Sequence, residues 1–280
     1  MMMKIVADSS ADLLTIPDVP FAVVPLLVHA GDRTFVDDEH CDLEELRTFF
    51  QHYKGKSSTS CPSPQCWLDA FGDADEVFCV TISSAMSGTY NAACMAAKEY
   101  MEQHPERRVH VFDTLNAGPG CTQMVEKLAA CIRRGLDFDE IVTAVTAYRS
   151  RTNLVFSLAS IHNFVANGRV CAAAGAIVGI LGIRVICKAG QKGEFVISGK
   201  ARGEHKALQS MADTMMKQGW NGSKVYIHHC GNQTGALTLR DALHAKFPDA
   251  EIEIAPLRGL CSYYAENGGI LVAYEGNLRA

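Results

Sequence analysis

The stretch VFCVTISSAMSGTYNAA, residues 77–93, decides the fold class. Val77 to Ile82 is a continuous apolar and β-branched run, the pattern of a strand buried on both faces. Ser83 to Ser87 is a hydroxyl-rich turn, and Gly88 to Tyr100 reads as a helix. A buried strand that passes through a short turn into a helix is the repeating unit of a parallel sheet.

The same rhythm extends on both sides. Lys4 to Ala7 reads as a strand ending at Asp8, with Ser9 and Ser10 able to cap the next segment. Val109 to Phe112 is the next strand, and Cys121–Arg133 and Asp139–Arg149 are helical stretches. The second half is less regular. Leu154–Leu158 reads as a strand, followed by a helix that enters at Ser160 and closes at Gly168. Ile183–Lys188 and Glu194–Ser198 flank a Gly-containing turn and predict a hairpin. Glu204–Gln218 and Thr234–Lys246 read as helices, and Val225–His229, Glu251–Ile254 and Ile270–Tyr274 as strands. The Ala- and Gly-rich run Val170–Ile183 predicts a buried helix, shorter than the ~20 residues that span a bilayer. The expected fold is α/β with two α/β domains, 1–152 with a mostly parallel sheet and 153–280. The change of rhythm near Ser150 to Asn153 marks the boundary.

Composition excludes several classes. With 280 residues the chain can bury a substantial core, and a net charge of −5 gives no global pull toward nucleic acid or an anionic membrane. The N-terminus, MMMKIVADSS, lacks an apolar run of signal-peptide length. Eleven scattered cysteines, without a Cys-x-x-Cys pair, fit a reducing cytoplasm better than a disulfide framework. Stable membrane insertion is not expected.

Two hydroxyl-rich segments carry the chemistry. Strand-to-helix turns of parallel sheets face the ligand crevice, and free N–H groups at a helix start favour an anion. Ser83, Ser84, Ser87 and Gly88 stand at such a turn; Ser87 also reads as a plain helix cap. In SSTSCPSP, residues 57–64, prolines restrict a loop that presents Thr59 and Ser60. No Gly-x-Ser-x-Gly elbow, P-loop or dinucleotide fingerprint is present. His228, His229 and Cys230 alternate between strand faces and cannot converge on a metal. Asp37-Asp38-Glu39 reads as a solvated loop. Lys200, Arg202, His205 and Lys206 form a basic cluster interrupted by Gly203, an exposed face or a docking patch.

Taken in order, these segments resemble the DegV family of bacterial fatty-acid-binding proteins. The likeness rests on Asp8-Ser9-Ser10-Ala11-Asp12-Leu13, on Thr59 to Pro64, on Ser83-Ser84-Ala85-Met86-Ser87-Gly88-Thr89-Tyr90, on Gly168-Arg169-Val170 and on Gly199-Lys200-Ala201-Arg202. The resemblance implies a long-chain fatty acid bound between two α/β domains, with its carboxylate held by Thr59, Ser60, Ser83, Ser84, Ser87 and Gly88. It implies a separate fatty acid kinase as partner, docked through Arg169 and Arg202, and no catalysis, cofactor or metal in this chain. Burial of about fifteen methylenes at ~0.8 kcal/mol each is on the order of 12 kcal/mol gross, reduced by association and ordering costs. The sequence departs from the family pattern at Tyr264, where a His is usual, and at Glu204, where a second Arg is usual. An enzyme on the same scaffold, acting on a small carboxylated or phosphorylated substrate, is the alternative reading.

Overall fold

The computed structural model describes residues 1–170 and 182–278. From the N-terminus run β1 (Met3–Asp8), β2 (Phe21–Val24), β3 (Leu27–Ala30), β4 (Arg33–Val36), α1 (Leu43–His52), β5 (Ser57–Ser60) and α2 (Pro64–Phe71). Next come β6 (Glu76–Thr81), α3 (Thr89–Gln103), β7 (Arg108–Asp113), α4 (Pro119–Arg133) and α5 (Phe138–Arg149). The second half holds β8 (Thr152–Leu158), α6 (His162–Ala166), β9 (Ile183–Ala189), β10 (Phe195–Arg202) and α7 (Glu204–Lys217). It ends with β11 (Val225–His229), α8 (Gln233–His244), β12 (Ile252–Pro256), α9 (Gly259–Ala265) and β13 (Ile270–Glu275).

The first sheet is four parallel strands in the order β2-β1-β6-β7. All six residues of β6 are buried, as its unbroken apolar pattern requires. Phe78 and Val80 face the core built with Met124, Val125 and Leu128 of α4. Val77 and Cys79 face Trp67 and Phe71 of α2 and the alanines of α3. The helices start where their sequences provide caps. Asp137 accepts from Glu140 N while the Glu140 side chain accepts from Asp137 N, a capping box at the head of α5.

The second sheet has six strands in the order β10-β9-β8-β13-β11-β12. Only β11 and β12 run parallel; the other four pairs are antiparallel. The predicted hairpin is the β9–β10 pair. Gly168 closes α6 in a left-handed conformation, φ +67°, with Arg169 N donating to Phe164 O at 2.9 Å. α4 packs against strands of both large sheets and joins the halves.

Two expectations need correction. Ser57–Ser60 is not the start of a loop but an edge strand, paired with β3 in a three-stranded antiparallel sheet β4-β3-β5. Its alternation places Ser57 and Thr59 on one side and Ser58 and Ser60 on the other. Asp37 is not solvated: it is 1% exposed, with its carboxylate accepting from Gly259 N at 2.8 Å and Leu260 N at 2.9 Å. The start of α9 needs acceptors there, and Asp37 supplies them. The helix expected over Val170–Ile183 falls largely on residues 171–181, outside the described residues.

Candidate functional site

Between the three sheets lies a cavity lined by residues of both halves of the chain. Its walls are mostly apolar. Leu26, Ile82 and Met86 come from the first half, and Leu154, Phe156 and Leu271 from the second. An aromatic row runs along one side: Phe156 and Phe195 have ring centroids 4.9 Å apart, Phe195 and Phe164 4.5 Å, and Phe164 and Tyr264 4.8 Å.

Polar groups gather where this row ends. Thr59 Oγ1 and the Tyr264 hydroxyl share a hydrogen bond of 2.8 Å. Ser87, at the turn before α3, also lines the cavity, and its Oγ accepts from Thr89 N at 3.4 Å. Arg169, expected at a docking face, instead lines the same end of the cavity, with Nε donating to Met86 O at 3.2 Å. Four residues from four segments therefore converge: Thr59 from β5, Ser87 from the β6–α3 turn, Arg169 after α6 and Tyr264 from α9. Burial raises the pKa of the Tyr264 phenol, so it remains a neutral donor through physiological pH.

The other residues singled out by sequence stand elsewhere. Ser60 Oγ is bonded to His29 Nε2 at 2.9 Å. Ser83 is fully buried, with its backbone N donating to Asn116 O at 2.9 Å. Ser84 is exposed, and both its N and its Oγ donate to the Asp113 carboxylate. Gly88 takes the N-cap position of α3, where a Cβ would meet Cys61 Sγ at 3.5 Å. None of these four lines the cavity. Arg202 is exposed at the end of β10, seven residues beyond Phe195. Lys200, His205 and Lys206 are exposed around it.

Residues to which sequence reasoning assigned no holding role keep the polar end in place. α9 carries Tyr263 and Tyr264, and its first turn is tied to the first half of the chain. Asp12 accepts from Arg258 N at 2.8 Å and from His228 Nδ1 at 2.9 Å, and Asp37 takes the next two N–H groups. The neighbouring Tyr263 hydroxyl bonds Ser57 Oγ at 2.7 Å, so both tyrosines lock onto β5. Burial pushes the Asp37 carboxyl up to about 6 and that of Asp8 likewise to about 6. A buried acid directly before a Gly-Leu helix start is a signal only once the pairing of distant segments is known. Thr89, fully buried beside Ser87, has a hydroxyl without a hydrogen-bond partner among the described residues. No three His, Cys, Asp or Glu side chains gather to hold a metal ion among the described residues. No described helix is long and apolar enough to cross a membrane.

Fold and site together define an α/β protein of two halves around a mostly apolar cavity, on which hydroxyls and one guanidinium converge. The chain belongs to the DegV family, whose model, that of an uncharacterised protein, matches residues 2–275. A DegV domain-containing protein of Streptococcus pneumoniae strain R6 is 39% identical over 276 residues, which covers 97% of this chain and 98% of that protein. Solved relatives have similar folds. The Fatty Acid Kinase B3 protein of Streptococcus pneumoniae, loaded with linoleic acid, superposes with a TM-score of 0.96 at 39% identity, over 99% of this chain and 100% of that one. A DegV family protein from Eubacterium eligens, loaded with heptadecanoic acid, gives 0.95 at 37% identity, over 98% and 100%.

Proposed function

We propose that this chain binds a long-chain fatty acid in the cavity between its two α/β halves, 1–152 and 153–280, and presents the carboxylate to a separate fatty acid kinase. It acts as a cytoplasmic carrier and performs no chemistry on the acyl chain. The observation that carries the reading is the cavity itself: mostly apolar, with Thr59, Ser87, Arg169 and Tyr264 converging on it. Burial of methylenes supplies affinity at ~0.8 kcal/mol each, and a few donors fix the head group. Thr59, Ser87 and Tyr264 donate to the carboxylate, and Arg169 supplies the positive charge. The two relatives loaded with fatty acids, one of them named as a B protein of fatty acid kinase, support the same reading.

Organic extraction of the natively purified chain, followed by mass spectrometry, tests the binding half. We expect an acyl chain of roughly sixteen to eighteen carbons, the length whose burial gives useful affinity after association costs. Lipid-free protein that also ignores added fatty acid refutes it. The carrier half assigns kinase docking to Arg202, whose planar fork suits a phosphate or carboxylate partner. Arg202→Ala should retain fatty-acid binding and lose phosphorylation of the bound acid by the kinase. Loss of both, or of neither, refutes the assignment.

A further inference from the structure

The cavity has a second end. Leu154, Phe156 and Leu158 share one face of β8 and line the cavity, so this strand follows its length for roughly 13 Å. Leu158 leads toward α6 and the Phe164–Tyr264 contact at the hydroxyl end. Leu154 lies at the opposite end, where Asn116 Nδ2 donates to Thr152 Oγ1 at 2.9 Å. Val155 pairs with Lys188, and the same register sets Ala189 beside Leu154. The β9–β10 hairpin turns beside it, and its Lys188, Ala189, Gly193 and Glu194 form a side wall of the cavity.

The closure depends on one glycine. Gly193 is buried and has φ +76°. A Cβ there would stand 2.2 Å from Ser83 Oγ and 2.7 Å from Leu115 Cα. The hairpin of the second half thus rests almost backbone to backbone on the first half, an approach only glycine permits. Its seat is itself constrained. Leu115 has φ +55°, uncommon for a residue other than glycine, and its N donates to the Asp113 carboxylate at 3.1 Å. That carboxylate also accepts from Ser84 N at 3.1 Å, which ties the seat to the Ser-rich turn. Within the tip, Gly190 N donates to Glu194 O at 2.8 Å and Lys192 N to Glu194 Oε2 at 2.9 Å, so the turn is a defined body.

We propose that Gly193 is a specificity-determining residue: by letting the hairpin tip seat on Leu115 and Ser83, it fixes the cavity wall beside the Ser-rich turn, and so the room left for the acyl chain and the longest chain the protein accepts. The proposal rests on the fatty-acid reading of the cavity. Each added methylene favours binding while there is apolar wall to cover. Once the chain fills the space bounded by a tip packed on backbone, a further methylene must displace that wall, and close-packed contacts resist that.

The test offers the lipid-free full chain an equimolar mixture of saturated and cis-monounsaturated acids of roughly twelve to twenty-four carbons, a series that brackets the length favoured by burial. Native mass spectrometry identifies the bound species. Wild type should show a sharp upper cut-off. Gly193→Ala, whose methyl cannot be housed without lifting the tip, should move the cut-off up by about two carbons or more and speed acyl release several-fold. Ala189→Leu adds bulk to the same wall from inside and should move it down by about two carbons. An unmoved cut-off in both variants overturns the proposal. If Gly193→Ala fails to fold, an unmoved cut-off in Ala189→Leu is sufficient to overturn it. A wild-type chain that takes no fatty acid refutes the fatty-acid reading, and this proposal with it; a wild type that binds but whose cut-off ignores both substitutions refutes only this one.

Discussion

Thr59 and Tyr264 already find each other at 2.8 Å, so an arriving carboxylate exchanges one neutral hydrogen bond for two charge-assisted ones. Loss of one donor to a buried charge costs roughly 1.5–3 kcal/mol, or about 10- to 150-fold in affinity. Thr59→Val and Tyr264→Phe should each weaken fatty-acid binding by that amount in a titration. Ser84→Ala should leave it within about twofold, because the Ser84 hydroxyl is committed to Asp113, 29 residues away. The sequence motif draws attention to Ser83, Ser84 and Ser87 alike. It cannot tell which hydroxyl a distant aspartate will take, and that choice separates Ser84 from Ser87. Tyr264 also sets the pH behaviour. Its phenol is raised by burial, so it stays protonated and donating across neutral pH. Tyr264→His should make affinity rise as pH falls through about 6.5, because the imidazolium then pairs with the carboxylate. A flat profile in that variant, with binding intact, would show that position 264 does not face the head group.

At the scale of elements, the pieces most legible in the sequence are those whose patterning is local. The apolar run of β6 announces a doubly covered parallel strand, and the helix after it is set by the same stretch. β5 was hidden, because Ser-Ser-Thr-Ser carries no alternation of apolar and polar residues; its strand character comes from pairing with β3. The antiparallel order of the second sheet was equally out of reach, since β13 enters between β8 and β11 from the end of the chain. α9 is held by contacts no local pattern reveals, and its clamp has a pH signature. Asp37 titrates near 6 in the folded protein against an unfolded value near 3.8. The folded state therefore holds this proton more tightly, and the stability gained is fully present below the unfolded value and lost as pH rises through about 6. Asp8 adds a contribution of the same sign. His110 and His229, whose pKa values are lowered by burial, act in the opposite sense, so the signal is read as a difference between proteins. The stability of wild type minus that of Asp37→Asn should grow by about 2 kcal/mol between pH 7.5 and pH 4.5. Denaturant titrations at several pH values measure it, and a difference that shrinks over this range would mean the carboxylate is favoured in its charged form.

For the whole molecule, two halves with separate cores meet around the cavity. One core lies between α4, α5 and the parallel sheet, and another between α7, α8 and the six-stranded sheet. Between them a third cluster packs Leu26, Val28 and Ile82 of the first half against Leu260 and Tyr263 of the second, and α4 and the Gly193 approach to Ser83 and Leu115 add further contact. A long apolar ligand would add contacts to both halves at once. Because it binds only the folded state, it stabilises by mass action, about 2.7 kcal/mol when free ligand stands a hundredfold above its Kd. For a chain of this size each kcal/mol moves the midpoint by roughly 2–4 °C, so loading should raise Tm by about 5–10 °C. Calorimetry of the lipid-extracted chain, before and after reloading with an eighteen-carbon acid, measures the shift. Reloading should also sharpen the transition, since the halves then share one core. An unchanged Tm after stoichiometric reloading, verified by mass spectrometry, would mean that the acid does not bind the folded state in preference to the unfolded chain, which rules out a bridging role between the halves.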